Sequence, residues 1–490
     1  MNVFDYLFEE SRELNKLFVL NEKDSISYKE LYELALNIAA HLKSNYGSGQ
    51  TVILIAPNSV FFIATYLGIL KSGNICVPLD YAIEPANLEY IVTHVESKIA
   101  FTAKSVAEKL KFAEGMHVYF EQDVLSFKVH SGHNDHIEKF ESNSLAEIVF
   151  TSGSTGIPKG VMLSHENIIA NTWSILQYLK LTKEDTICAV LPFHYCYGLS
   201  LLHTHLRVGG SMVLNNAFMF IGSVLQDIKK FKCTGFAGVP SHYQILLRKT
   251  SIFSKDDLPY LRYFTQAGGK LHNQFIEEIC RAVPNKKFYV MYGQTEATAR
   301  LSYLPSELAM AKIGSIGRAI PGVELKVVNE NGKELTDGAE GELVAKGKNI
   351  MLGYYKDPDE TARTVKDGWL YTGDFARKDD EGYIYILARK KEIIKVRGKR
   401  VSPKEIEEVI LGVTEVMDCT IKSFHDEILG EGMEAIVVIS DLSIKDEVER
   451  NIKSICRNKL ASFKIPTKFS FYNQMNLKSS GKKTDFKINN

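Results

Sequence analysis

Neither sign of charge prevails in this 490-residue chain: Lys plus Arg and Asp plus Glu number 59 each. Such a balance supplies no global field to recruit nucleic acid or an anionic membrane. Long hydrophobic runs are also missing. The most apolar windows, such as Val60 to Leu70, are too short or too interrupted to span a bilayer and read as buried helices. The N-terminal stretch carries early acids and no long apolar run, so no secretory signal peptide is expected. Seven scattered cysteines (Cys76, Cys188, Cys196, Cys233, Cys280, Cys419, Cys456) form no CxxC pair and no even framework. Reduced, mostly buried thiols in a cytoplasmic protein are expected. The histidines include no HExxH, and His203 and His205, two apart, would point to opposite faces if their segment were a strand. A zinc site therefore has little support, and any metal is expected to be magnesium arriving with a nucleotide. No internal repeat or low-complexity tract is present.

What is present is an α/β pattern on a chain too long for one ordinary core, so two or more domains are expected. Residues 26 to 45 place apolar side chains at helical spacing, followed by the short buried strands Val52-Ile-Leu-Ile-Ala and Ile75-Cys-Val-Pro. Strand and helix keep alternating to about residue 320. From 323 to 387, short alternating runs separated by Asn-Gly, Asp-Gly and Glu-Gly predict antiparallel hairpins. A charged stretch, Ala388-Arg-Lys-Lys-Glu392, marks a boundary. Beyond it, Ser402-Pro-Lys-Glu405 reads as a capping box with proline at the first helical position, opening a helix through Ile410. The remainder reads as a small α+β unit. From Arg389 to Asn490 it holds 20 Lys+Arg against 15 Asp+Glu, a mild excess that suits a solvated face or an anionic partner.

The chemistry concentrates in Thr151-Ser-Gly-Ser-Thr-Gly-Ile-Pro-Lys-Gly160, directly behind the apolar run Ile148-Val-Phe. Glycines let backbone N–H groups turn inward, hydroxyls add donors and Lys159 adds a charge, which suits polyphosphate. No Gly-Lys-Ser/Thr follows, so this is not a Walker loop. Further along stand Tyr292-Gly-Gln-Thr-Glu296, Tyr371-Thr-Gly-Asp374 and Ser480-Gly-Lys482. In that order and spacing the four motifs resemble the adenylate-forming (AMP-binding) superfamily, closest to the AMP-forming acyl- and aryl-CoA ligases. The resemblance runs from Leu67-Gly-Ile-Leu-Lys-Ser-Gly73 to Lys482.

The resemblance implies a large N-terminal domain of α/β subdomains with a distorted β-barrel (1–387). A hinge (388–391) then leads to a small C-terminal α+β domain that rotates (392–490). It implies ATP, magnesium and either coenzyme A or a carrier protein's phosphopantetheine. Thr151, Ser152, Gly153, Ser154, Thr155, Gly156 and Lys159 would embrace the β- and γ-phosphates. Thr295 and Glu296 would sit beside the α-phosphate, with Glu296 binding the metal. Tyr292, followed by Gly293 and Gln294, would offer adenine an aromatic face. The Ala267-Gly268-Gly269 segment would pass close to adenine and the acyl group. Asp374 would hold the ribose, Arg389 would assist at ribose or phosphate, and Lys482 would bridge the substrate carboxylate and ATP. Lys391 would be the pivot, with Lys395, Arg397 and Gly398 swinging in for thioester formation. The chain departs from the family in having Ala388 where glycine is usual and no arginine after Lys482.

Leu191-Pro-Phe-His-Tyr-Cys-Tyr-Gly198 corresponds to the acyl-site motif and contains no acid to hold an amino group. An amino-acid substrate is thereby disfavoured. His194 resembles a gate residue, while Tyr195, Tyr197, Phe236 and Val239 are candidates for lining an acyl pocket. Three functions stay open: an acid–CoA ligase, a stand-alone enzyme loading a carrier protein, and a catalytically silent nucleotide-binding protein.

Overall fold

The first long helix shows how the sequence sets the local structure. Tyr28–Tyr46 begins where Ser27 and Glu30 cap each other reciprocally and ends at Gly47, whose φ of 76° with ψ of −154° is a glycine conformation. Its buried face (Tyr28, Leu31, Ala35, Ile38, Leu42) repeats at helical spacing. That face packs on the helix Val60–Lys71 so closely that a Cβ at Gly68 would lie 2.6 Å from Cβ of Ile38. The computed structural model describes residues 1–112, 114–127, 141–152, 157–218, 220–250, 258–396, 399–426 and 430–474.

Two large sheets are flanked by helices. Thr51–Ile55, Ile75–Leu79 and Ile99–Thr102 run parallel in a seven-stranded sheet, joined by the hairpin Leu145–Ser152 and Pro158–Ser164. In the second, nine-stranded sheet, Thr186–Ala189, Gly235–Gly238, Tyr263–Gln266 and Lys287–Tyr292 are parallel neighbours. Strands buried on both faces read as continuous apolar runs rather than alternating ones. The unit expected as a distorted barrel is a five-stranded antiparallel sheet, bulged between Glu342 and Val344 and between Phe375 and Ala376. The C-terminal unit pairs Val416–Asp426 with Gly430–Ile439 and carries the helices Pro403–Ile410 and Lys445–Lys459.

One expectation is corrected. Pro403 does open its helix, but the capping box does not form. The Ser402 hydroxyl instead donates to the Leu387 carbonyl at 2.6 Å, and Glu405 pairs with Lys464. The cap has been diverted to tie the helix back to the strand Ile384–Arg389, before the boundary. His203 and His205 lie on the helix Cys196–Arg207, not on a strand, and both are buried. All seven cysteines are free thiols, five of them buried. No helix among the described residues is long and apolar enough to cross a membrane.

Burial also stores a pH dependence in the core. It holds His203 and His242 down to about 3 and His165 and His205 to about 4. Depressed histidines contribute stability that is present above their unfolded value near 6.5 and lost as pH falls through the folded values. Glu147 acts oppositely: burial pushes it to about 7, against a hydrogen bond from Tyr66, so its contribution is lost as pH rises. Four groups outweigh one. Acidification from pH 7 to 5 is expected to cost roughly 1–2 kcal/mol per histidine. Urea midpoints at the two pH values test this, and an unchanged or higher midpoint at pH 5 would refute it.

Candidate active site

A cavity of about 440 Å³ opens where the parallel strands of the second sheet end. Carboxyl ends of parallel strands are where α/β folds place ligands, because the chain must leave the sheet there and loops diverge. Val239 follows Gly235–Gly238, Ala267-Gly268-Gly269 follows Tyr263–Gln266, and Gly293-Gln294-Thr295-Glu296 follows Lys287–Tyr292. All these residues line the cavity, together with Thr151, Tyr195 and Tyr197. Gly268 has φ 80°, and the Gln266 amide donates to the Gly269 carbonyl at 2.7 Å, folding that turn tightly.

Asp374 and Arg389 reach the same cavity from the antiparallel sheet, where they are direct cross-strand partners. The Tyr292 hydroxyl donates to Oδ2 of Asp374 at 2.5 Å, and Nε of Arg389 lies 3.6 Å from its Oδ1. Burial raises the Asp374 pKa, opposed by Arg389 and by the tyrosine hydrogen bond. For Arg389, burial works against the charge, but Asp374, Tyr292, Glu296 and Glu392 together outweigh it and the pKa is raised. Tyr292 therefore contributes its hydroxyl as well as the ring face expected from the sequence.

Glu296 stands in the single helical turn Thr295–Ala297, its Oε1 accepting from the Tyr354 hydroxyl at 2.8 Å. Thr295 lies 3.6 Å from the Cys196 sulfur. Immediately after, Thr298 takes φ 64° and ψ −58°, and the Ala299 N–H donates to the Ala297 carbonyl at 2.7 Å. This is the rare, strained form of the γ-turn, most unusual for a β-branched residue. Asn349 holds it, accepting from the Thr298 hydroxyl through its carbonyl and donating its amide to the Ala297 and Arg300 carbonyls. Strain of this kind persists where surrounding contacts over-determine it.

Other expected residues are placed differently. Lys159 pairs with Glu360 at 2.6 Å and lies 5.5 Å from the Tyr354 ring centroid, outside the cavity lining. Thr151 faces Lys159 across the hairpin, and Ser152 faces Pro158. Gly153, Ser154, Thr155, Gly156, Arg397, Gly398 and Lys482 lie outside the described residues. His194 does not line the cavity: it is buried, with Nε2 3.5 Å from Asp80, and burial lowers its pKa despite that acid. Tyr197 lines it, with its hydroxyl on Thr265, whereas Phe236 sits in the core. Lys391 lies in a turn closed by the Glu392 N–H on the Arg389 carbonyl at 2.8 Å. Lys395 is exposed on the strand Ile394–Val396.

Sequence reasoning missed the supporting residues. Tyr354 orients Glu296, Glu360 holds Lys159, and Glu392, Lys404 and Arg300 also line the cavity. Only Arg300 left a signal, as a lone cation in the run Ala299-Arg-Leu301. The C-terminal unit is docked through Glu408, which accepts from the Asn273 N–H at 2.8 Å and faces His272 at 3.0 Å and Lys270 at 3.6 Å. Among the described residues no three His, Cys, Asp or Glu side chains gather to hold a metal ion. A lone carboxylate such as Glu296 suits an ion that brings its remaining oxygen ligands with a nucleotide.

Residues 9–355 match the AMP-binding enzyme family and residues 405–482 its C-terminal domain. The chain is 29% identical to the long-chain-fatty-acid–CoA ligase of Escherichia coli O6:H1, over 97% of this chain and 92% of that one. It is 28% identical to the oxalate–CoA ligase of Arabidopsis thaliana, over 94% and 92% respectively. Its fold is similar to that of ATP-bound MatB from Rhodopseudomonas palustris, with a TM-score of 0.85, 27% identity, and coverage of 98% and 97%. With both domains matched in order, the first over more than half of its length, the chain belongs to the AMP-binding enzyme family.

Proposed function

We propose that this protein is an AMP-forming acid–CoA ligase. A carboxylate attacks the α-phosphorus of ATP, a P–O bond forms, the bond to pyrophosphate breaks, and an acyl-adenylate results. The coenzyme A thiol, having lost its proton, then attacks the acyl carbon, and AMP leaves. One observation carries the reading. Asp374, with Tyr292 and Arg389, shares a cavity with Thr295 and Glu296. A carboxylate with a tyrosine behind it suits vicinal ribose hydroxyls, and the hydroxyl and acid of residues 295 and 296 stand where phosphate would follow.

In this reading Thr151, Ser152, Gly153, Ser154, Thr155, Gly156 and Lys159 hold the leaving phosphates, and Gly268, Gly269, Gly293 and Gln294 face the base and acyl group. Tyr197 and Val239 line the acyl end, while His194 supports it from behind Tyr195. Glu296 would hold magnesium together with the nucleotide's phosphates, where the ion would neutralise phosphate charge. Lys482 is assigned to the transferring carboxylate and phosphate. The domains are taken as 1–387 and 392–490 about a hinge at 388–391. Lys391, Lys395, Arg397 and Gly398 serve the second half-reaction. Lys159 must release Glu360 to meet a phosphate, an exchange of one anion for a stronger one. The family's named CoA ligases support free coenzyme A as acceptor. A carrier protein's phosphopantetheine is the second reading, with the same thiol chemistry.

The test is ATP-dependent thioester formation over a panel of short, medium, long, aromatic and dicarboxylic acids, with pyrophosphate followed in parallel. Pyrophosphate with acyl-CoA is expected. Adenylate without acyl-CoA would transfer the reading to a carrier protein, and silence with every acid would remove it.

A further inference from the structure

Arg300 is 2% exposed and belongs to the largest fully buried side chains, yet it lines the cavity. Its guanidinium lies 4.7 Å from the Tyr197 ring centroid and stands near the Tyr178 hydroxyl. Its Nε is buried with no hydrogen-bond partner. No carboxylate pairs with Arg300 among the described residues, although buried arginines elsewhere in proteins are paired. An aromatic face and one hydroxyl compensate a desolvated guanidinium only in part, since its planar fork presents five donors.

The main chain that carries the cation is also fixed. The Arg300 carbonyl accepts from Asn349 at 2.8 Å and from Asn171 at 3.2 Å, directly behind the strained turn at Thr298. A surface cation would sit in water, whereas this one is 2% exposed. Tyr197, on which it stacks, is hydrogen-bonded to Thr265 at the end of the strand Tyr263–Gln266. Asp374, by contrast, enters the cavity from the antiparallel sheet, so the two charges come from different walls.

We propose that Arg300 is a specificity residue that binds a second anionic group on the acid substrate, which makes that substrate a dianionic acid such as a dicarboxylate. The inference rests on the acid-activating reading above. One carboxylate is adenylated, and the other supplies the guanidinium with the bidentate partner the protein withholds. A site built around a buried donor set rejects an analogue lacking the matching acceptor, because desolvation is then uncompensated.

The experiment compares kcat/KM for acyl-CoA formation from C3 to C8 dicarboxylic acids, their monomethyl esters, and monocarboxylic acids of equal length. Wild type is expected to favour the best dicarboxylate over its own half-ester by about 100-fold. Arg300→Met is expected to bring that ratio close to one by losing the dicarboxylate while keeping the half-ester. Arg300→Lys should recover part of it. An ω-sulfonated acid as good as the dicarboxylate would support the proposal, since it presents the same second anion. Preference of the wild type for half-esters or fatty acids overturns the proposal while leaving the ligase reading intact, and it decides the matter even if the variants fail to fold. An equal loss for both substrates in Arg300→Met also overturns it, as a packing role would. Silence of the wild type with every acid removes the ligase reading and this proposal with it.

Discussion

Replacing Asp374 with alanine is expected to lower kcat/KM for ATP by about 10²–10⁴ without unfolding the protein. A carboxylate accepting two hydrogen bonds from vicinal hydroxyls makes two charge-assisted contacts of about 1.5–3 kcal/mol each. Their loss gives that range, since each 1.4 kcal/mol is about tenfold. The stability side has the opposite sign. Burial raises the pKa of Asp374 above its unfolded value, so its contribution is complete below that value and lost as pH rises through the folded one. At neutral pH the ionised carboxylate is a liability to folding, tolerated because Arg389 faces it at 3.6 Å. Asp374→Asn keeps the shape and an acceptor for the Tyr292 hydroxyl. It should match or exceed the wild-type denaturation midpoint at pH 7 while losing most of the activity, as functional sites often trade stability for chemistry. Steady-state kinetics with ATP varied and urea denaturation of both variants supply the measurements. Full activity in Asp374→Ala would remove the ribose role.

Lys391→Pro is expected to separate the half-reactions: pyrophosphate release persists and acyl-CoA formation stops. Residues 389 to 392 form a turn in which the Glu392 N–H donates to the Arg389 carbonyl, and the Lys390 N–H donates to Gly373 at 2.8 Å. Lys391 is therefore the third residue of the turn. Proline there forces the preceding residue out of the helical region, which a common turn requires. It also fixes its own φ near −65°. The strand Ile384–Arg389 lies on one side of this turn and the C-terminal strand Ile394–Val396 on the other, so the change falls on the connection alone. The docked unit keeps its Glu408 contacts with Lys270, His272 and Asn273, which hold it against the cavity. Single-turnover pyrophosphate release and thioester formation, measured separately with Lys391→Ala as control, resolve the two steps. Thioester formation at the wild-type rate would mean that no rotation about this residue is needed.

Expectation and structure part where a residue's partner comes from far away in sequence. The motif Tyr292 to Glu296 is legible because turn, hydroxyl and acid are contiguous, and the structure keeps them together at one strand end. His194 carried the same motif-level weight but points to Asp80 instead of the cavity, a contact across 114 residues that no local pattern reveals. The Ser402 cap failed for a related reason. A hydroxyl can satisfy a helix N–H or a distant carbonyl, and Leu387 is in reach only after the units dock.

The sequence by itself determined the alternating α/β order, the antiparallel stretch after residue 320, the boundary near 390 and the family chemistry. Each rests on short-range physics: periodicity, turn residues and contiguous motifs. Tertiary structure alone decided that Tyr292 braces Asp374, that Tyr354 positions Glu296, that Glu360 holds Lys159, and that Arg300 stands buried without an acid. Charge pairing and desolvation depend on what the fold brings within a few ångströms. Spacing along the chain does not encode that distance.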